Sequence, residues 1–228
     1  MSDAFEQNML VYGDRAEALE RRFEEMSFEQ VHGVWARGWL PEVPGDALDV
    51  GAGSGRDARA LATLGFRVLA AEPSARLRER AMARSEGVGV EWIDDHLPEL
   101  VRVRELGRSF SLVLVSAVWM HVPPARRGQA LEHLVGLLAS GGVLVISLRH
   151  GGFIDDRVAY PVSVGELEAL SASSEDVEVV AVHGTSDRLG RAGVTWEVVV
   201  LRASQDERER RDEELVEPPH DRGTERRG

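Results

Sequence analysis

Ala47-Leu48-Asp49-Val50-Gly51-Ala52-Gly53-Ser54-Gly55 is the stretch that decides how this chain is read. A brief strand, Ala47–Val50, runs directly into three glycines at alternate positions, and a helical spacing of Ala58, Leu61 and Ala62 follows at once. Glycine lets the backbone turn sharply and lets a ligand lie against the main chain where a helix begins. Strand, glycine turn and helix in that order open a parallel sheet, whose ligands bind beyond the carboxyl ends of the strands.

Outward from that corner, short apolar runs alternate with amphipathic stretches. Strands are predicted at Ala47–Val50, Phe66–Ala71, Val88–Ile93, Ser111–Ser116 and Val143–Leu148. Helices are predicted over Asp57–Leu64, Ala75–Arg84 and Ala125–Leu138, the last stopped by Gly141 and Gly142. Such alternation implies right-handed crossovers and a parallel sheet covered on both faces. Ser163-Val164-Gly165-Glu166 has the form of a capping box that opens a helix through about Ser171. Two further strand-like runs, Val177–Val182 and Val194–Leu201, are joined by a loop and suit an antiparallel hairpin. The fold class is therefore α/β, doubly wound, mostly parallel, with one antiparallel strand.

The first forty residues read as helical, with Ala16, Leu19 and Phe23, then Phe28, Val31, Val34 and Trp35, at helical spacing until Pro41 and Pro44. From Ala203 onward arginines and acids dominate, and too little apolar surface remains to offset the cost of ordering the chain. The expected division is a helical lid over residues 1–40, the α/β domain over 41–202 and a mobile charged tail over 203–228. A short helix through Asp206–Leu215 is the alternative for that tail.

Composition removes several classes of function. The chain has 228 residues, 43% of them hydrophobic, enough for one core and one domain. A net charge of -12 opposes binding to nucleic acid through phosphates, which needs a basic face. No cysteine is present, which removes disulfides, thiolate metal sites and a cysteine nucleophile. No lysine is present either, so all 27 basic residues are arginine and neither a P-loop lysine nor a Schiff-base lysine exists. The acidic start is unlike a signal peptide, and the apolar runs fall far short of a membrane span, so a cytoplasmic protein is expected.

The glycine spacing selects among ligands. A dinucleotide fingerprint places its third glycine where this chain has Arg56, which disfavours a nicotinamide-dependent oxidoreductase. Glu72 ends the second strand, 17 residues after Gly55. A carboxylate there can accept from both hydroxyls of a ribose. The residue order fits an adenosyl ligand.

With Leu48-Asp49-Val50-Gly51-Ala52-Gly53-Ser54-Gly55 and Glu72 in place, the chain resembles the class I S-adenosylmethionine-dependent methyltransferases over about Ala47–Leu201. The resemblance implies a Rossmann-like, seven-stranded sheet of order 3-2-1-4-5-7-6 with strand 7 antiparallel. It implies that Asp49 and the Gly51, Ala52, Gly53 and Gly55 backbone hold the cofactor, with Glu72 and the adjoining Pro73 at the ribose. Asp95 would accept from the adenine amino group, with Asp94 the alternative one residue earlier and His96 and Leu97 beside them. Arg56 would face the cofactor's carboxylate, and Asp57 would sit in the first helical turn. An ordinary capping or surface role is the other reading of that pair.

The reaction needs alignment of a nucleophile with a sulfonium methyl, and no metal; a general base helps where the nucleophile carries a proton. Groups beyond the fourth and fifth strands face the methyl in such a fold. Ser116 borders the cofactor, and His121, Trp119 and His150 are the candidate catalytic residues, His121 as a base. A backbone contact for His121 and a core position for Trp119 are the alternatives. Arg149 and Arg157, with Tyr160 and with Tyr12 from the lid, are the candidate acceptor contacts, suited to an anionic group. The expected function is transfer of a methyl group to oxygen or nitrogen of a small-molecule acceptor. DNA is an improbable target, and RNA or protein methylation and a cofactor-binding regulatory module are the alternatives.

Overall fold

The computed structural model describes residues 3–205. Among them, seven strands form one sheet: β1 (Asp46–Val50), β2 (Arg67–Ala71), β3 (Val90–Ile93), β4 (Phe110–Val115), β5 (Leu138–His150), β6 (Val177–Ser186) and β7 (Thr195–Ala203). Their order is β3-β2-β1-β4-β5-β7-β6. Pairings among β1 to β5 are parallel, while β7 runs antiparallel to both β5 and β6. The sheet expected from the sequence is the sheet observed.

Alternation along each strand divides the core between the two faces. Leu48 and Val50 of β1 join Val113, Val115, Leu144 and Ile146 on one face. Ala47 joins Val68, Ala70, Leu112, Leu114, Val143 and Val145 on the other. The second face is covered by α3 (Phe28–Trp39) and α4 (Arg56–Thr63) through Trp35, Ala58 and Leu61, all fully buried. The first is covered by α6 (Val101–Glu105), α7 (Arg127–Val135) and α8 (Val164–Ser171) through Val103, Leu131, Leu134 and Leu167. Burying a side chain of this size contributes about 1.5–3 kcal/mol, so both layers are strongly held. The helix α5 (Ala75–Arg84) crosses from β2 to β3, with Leu77 and Ala81 buried. Upstream, α1 (Asp3–Asp14) and α2 (Ala16–Phe23) precede α3.

Three local expectations change. β5 begins at Leu138 rather than Val143, because Gly141 and Gly142 are absorbed into the strand where its register with β4 shifts between Phe110 and Leu112. A Cβ on Gly142 would lie 2.8 Å from the Ala139 oxygen and 2.9 Å from that of Phe110, so the irregular strand requires the glycine. The short α6 was not legible from spacing; the Asp95 carboxylate anchors it by accepting from the Val103 N–H at 2.9 Å. The box at the start of α8 is half made. Ser163 Oγ accepts from the Glu166 N–H, but the Glu166 carboxylate pairs with Arg127.

The tail expected over 203–228 lies outside the described residues except for 203–205, where Ala203 closes β7. Among the described residues no helix is long and apolar enough to cross a membrane.

Candidate active site

One rung across the sheet sets the site. Val50 is in register with Ala71 and with Val115, Ala71 with Ile93, and Val115 with Ile146. The residues immediately beyond that row are Gly51, Glu72, Asp94, Ser116 and Ser147. Four different crossovers therefore deliver their first loop residues to one edge, and a cavity opens there, roofed by α1 and α2.

Gly51, Gly53 and Gly55 all have positive φ, at +70°, +57° and +74°. A side chain in that conformation is strained, and a Cβ on Gly51 would come within 2.4 Å of Val118 Cγ2. The loop is thus a bare backbone surface closed from above by the segment after β4. It is tied to β2 at two levels. The Gly51 and Ala52 N–H groups donate to the Ala71 oxygen at 2.8 and 3.1 Å, and the Gly53 N–H donates to Glu72 Oε2 at 2.9 Å. Glu72 Oε1 accepts from the Ser74 N–H at 2.8 Å. Burial raises the Glu72 carboxyl to about 6 despite those two donors. Each carboxylate oxygen retains a further lone pair, so the group can still accept two hydroxyls.

Asp49 projects from β1 toward α3 and α4 and is 1% exposed. Its Oδ2 has no hydrogen-bond partner, and burial together with the charges of Asp57 and Glu72 raises its pKa well above the ordinary range, against the opposing pull of Arg56. Asp57 Oδ2 accepts from His32 Nε2 at 3.0 Å, while the Trp35 indole donates to His32 Nδ1 at 3.0 Å, which fixes the histidine proton on Nε2. Arg56 donates to both Asp57 oxygens, at 2.7 and 2.8 Å, and to the Phe23 carbonyl at 3.1 Å. Asp57 is accordingly held far below the usual carboxylate range by His32 and Arg56, which overcome its burial. The network locks α3 and the end of α2 to the glycine loop.

On the opposite wall the Tyr12 hydroxyl lies 3.0 Å from His121 Nε2, and His121 Nδ1 lies 2.7 Å from the Val158 carbonyl. The carbonyl can only accept, so Nδ1 carries the proton and Nε2 accepts from the phenol. Asn8 secures this: its Oδ1 accepts from the Val158 N–H at 2.7 Å and its Nδ2 donates to the Val158 oxygen at 3.0 Å. The His121 ring stacks on Phe153 at 5.5 Å. Burial lowers the His121 pKa to about 4, opposed by the Val158 bond and reinforced by Arg157 and Arg149, so the imidazole is neutral at neutral pH. Burial likewise raises the Tyr12 phenol.

Of the residues expected from sequence, Tyr12, Asp49, Gly51, Ala52, Gly53, Arg56, Asp57, Glu72, Pro73, His96, Leu97, Ser116, His121, Arg149 and Arg157 line this cavity. Six do not. Trp119 is fully buried in the core, because the tight turn Trp119–His121 sends it inward while His121 faces the cavity. His150 points to the other side of β5 from Arg149 and pairs with Glu197 at 2.7 Å. Asp95 accepts from the N–H groups of His96 and Val103, one on each oxygen, and Asp94 turns outward to Arg78 at 3.2 Å. Gly55 closes the loop through its N–H to the Ala52 oxygen and faces Trp92 rather than the cavity. Tyr160 meets the Met120 oxygen with its backbone N–H.

Sequence reasoning passed over Asn8, His32 and Phe153, which hold His121 or the glycine-loop network in place. It also passed over Ala117, whose φ of +57° is unusual for a residue with a side chain and whose N–H donates to Ser147 Oγ at 2.7 Å. Asn8, Phe153 and Ala117 carry no local sequence signal.

Residues 47–142 match the family model of a methyltransferase domain. No curated protein matches the chain in sequence. Solved structures do match in fold. Magnesium protoporphyrin IX methyltransferase (ChlM) from Synechocystis PCC 6803, crystallised with bound SAM, is similar at a TM-score of 0.62 and 18% identity, over 89% of this chain and 92% of that one. The N-methyltransferase NodS from Bradyrhizobium japonicum WM9, in complex with S-adenosyl-L-homocysteine, is similar at 0.65 and 18%, over 86% and 98%. The cyclase SpnF is similar at 0.62 and 14%, over 79% and 84%. At these identities the likeness is one of fold. Sheet order, glycine loop and matched segment together make the conclusion plain: residues 47–142 are similar to a methyltransferase domain, set in a Rossmann-like seven-stranded sheet of the order 3-2-1-4-5-7-6.

Proposed function

We propose that this chain binds S-adenosylmethionine at the β1–β2 edge of the cavity and methylates an oxygen or nitrogen of a small molecule. The donor set fits that ligand. Glu72 is a buried carboxylate with lone pairs left for two ribose hydroxyls. Asp49 Oδ2 is a buried acceptor without a partner, suited to a cationic or N–H donor. The Gly51, Ala52 and Gly53 segment lines the cavity, and Val118 leaves no room for a Cβ at Gly51.

When bound, S-adenosylmethionine supplies a methyl group on a sulfonium, an excellent leaving group. The protein must then hold the nucleophile, exclude water and accept a proton. The α1 and α2 roof, which contributes Phe5, Met9, Tyr12 and Phe23 to the cavity, supports the reading of these helices as a lid over a small acceptor. The acceptor's proton passes to Tyr12 Oη as the phenol's proton passes to His121 Nε2, which leaves Tyr12 unchanged and His121 protonated. A base near pKa 4 suffices, because an oxygen gaining a methyl group becomes strongly acidic.

The observation that carries this reading is His121, with Nδ1 on the Val158 carbonyl and Nε2 facing the Tyr12 hydroxyl, in the same cavity as Glu72 and the glycine loop. Its test is incubation with S-adenosylmethionine and pools of small hydroxylated and amino compounds, with mass spectrometry for a methyl gain. Stoichiometric S-adenosylhomocysteine alongside a methylated product is expected. Methylation confined to added RNA or protein would reject the small-molecule assignment.

A further inference from the structure

Arg149 ends the buried part of β5 and is 6% exposed, yet it lines the cavity. Its Nη1 and Nη2 donate to the carbonyls of Gly151 and Gly152, while its Nε is buried with no acceptor. The nearby acids are already engaged. Asp155 is held by Arg157 and Arg15, and Asp187 by Arg191 and the Trp196 indole. Burial and the charges of Arg191 and Arg157 push the Arg149 pKa down, the mark of a cation lacking its counter-charge. Such a group is costly to bury unless an anion joins it.

Position says whose anion. The guanidinium carbon of Arg149 lies 4.2 Å from the Phe153 ring centroid, and His121 stacks on the same ring. Arg149, Arg157 and His121 thus all meet at the Phe153 ring, with Arg157 4.0 Å from its centroid, whereas Glu72, Asp49 and the glycine loop belong to the β1–β2 side. A carboxylate is already ionised at neutral pH and needs no base, so it is the handle and a protonated group elsewhere on the same molecule is methylated. We infer that the methyl acceptor is a small amphiphilic acid whose carboxylate docks on Arg149 while its apolar body lies in the same cavity, under the apolar roof of Phe5, Met9 and Phe23. This rests on the reading of the cavity as a methyltransferase site. It also gives the cluster a use: an anion there offsets the arginines that depress His121 and strengthens the base when the acceptor arrives.

The test is calorimetry with S-adenosylhomocysteine saturating and three acid–amide pairs as probes: benzoate and benzamide, phenylacetate and phenylacetamide, 4-hydroxyphenylacetate and 4-hydroxyphenylacetamide. In the wild type at least one acid should bind tenfold or more tighter than its amide. In Arg149→Gln that preference should fall below threefold, with affinity for S-adenosylhomocysteine unchanged within twofold. Arg149→Met substitutes if the glutamine variant does not fold, and the wild-type comparison needs neither. Absence of any acid preference, or its survival in the variant, overturns the inference. A tenfold loss of S-adenosylhomocysteine affinity in the variant also overturns it, because Arg149 would then serve the cofactor's own carboxylate. Failure of S-adenosylhomocysteine to bind the wild type removes the underlying reading, whereas its binding without acid preference removes this inference alone.

Discussion

The Tyr12 hydroxyl stands 3.0 Å from Nε2 of His121, across 109 residues of sequence, and donates to a ring whose other nitrogen is committed to a backbone carbonyl. That relationship joins the roof of the cavity to the loop beyond β4, and in the proposed reaction it makes His121 the proton acceptor. Substituting His121→Gln should lower kcat by about 10²- to 10⁴-fold. Tyr12→Phe should lower it less, since Nε2 remains. Affinity for S-adenosylhomocysteine, measured by calorimetry, should stay within twofold in both, and wild-type turnover in His121→Gln would remove the base assignment.

The pH profile follows from the depressed His121. An ordinary histidine near 6.5 would halve kcat by pH 6.5, but a pKa of about 4 keeps the base neutral far below that. With cofactor saturating, kcat should be level from pH 8 to pH 6. A lowered histidine pKa also means the unfolded chain binds more protons between about 4 and 6.5. The stability this group contributes is therefore present above 6.5 and lost as pH falls toward 4. A kcat that drops by half or more at pH 6.5 contradicts the assignment.

Glu72 has the opposite sign. Its pKa is raised to about 6, so its contribution to stability is full below about 4.5 and lost as pH rises through 6. Binding goes the other way, because ribose hydroxyls are best accepted by the ionised carboxylate. S-adenosylhomocysteine should bind about tenfold more weakly at pH 5 than at pH 8. Glu72→Gln should bind weakly at both, with the pH dependence gone. An unchanged slope in the variant would place the titrating group elsewhere.

Asn8 holds Val158 through both backbone groups. Asn8→Ala leaves that N–H without its partner and frees the carbonyl that orients His121, at a cost of about 1–3 kcal/mol. For a domain of this size the melting temperature should fall by about 2–4 °C per kcal/mol. kcat should fall as well, with S-adenosylhomocysteine affinity intact. A lower melting temperature with full kcat would make Asn8 structural only.

The sheet was legible because its signals are local and periodic. Apolar runs from Ala47 to Leu148 fix the strands, and glycine at 51, 53 and 55 fixes the corner where they deliver their loops. Glu72 was legible because it directly follows a strand. Residues chosen by proximity in sequence alone fared unevenly. His150 and Arg149 adjoin, yet strand alternation sends only Arg149 to the cavity; Trp119 and His121 are two apart, yet a tight turn separates core from site. Asn8, His32 and Phe153 act through partners 150, 25 and 32 positions away, contacts that no local pattern encodes. Asp95 does not line the cavity; its carboxylate accepts from the Val103 N–H in α6, a helix too short for periodicity to reveal.

The proposed cofactor site is the cavity beyond β1 and β2, with Gly51–Gly53, Glu72 and Asp49 placed to hold an adenosyl amino acid. Isothermal titration of the folded, wild-type protein with S-adenosylhomocysteine at pH 8 tests it most directly. Saturable binding of one molecule per chain is expected, lost or weakened at least tenfold in Glu72→Ala. No detectable heat at millimolar ligand, or equal affinity in the variant, would contradict it.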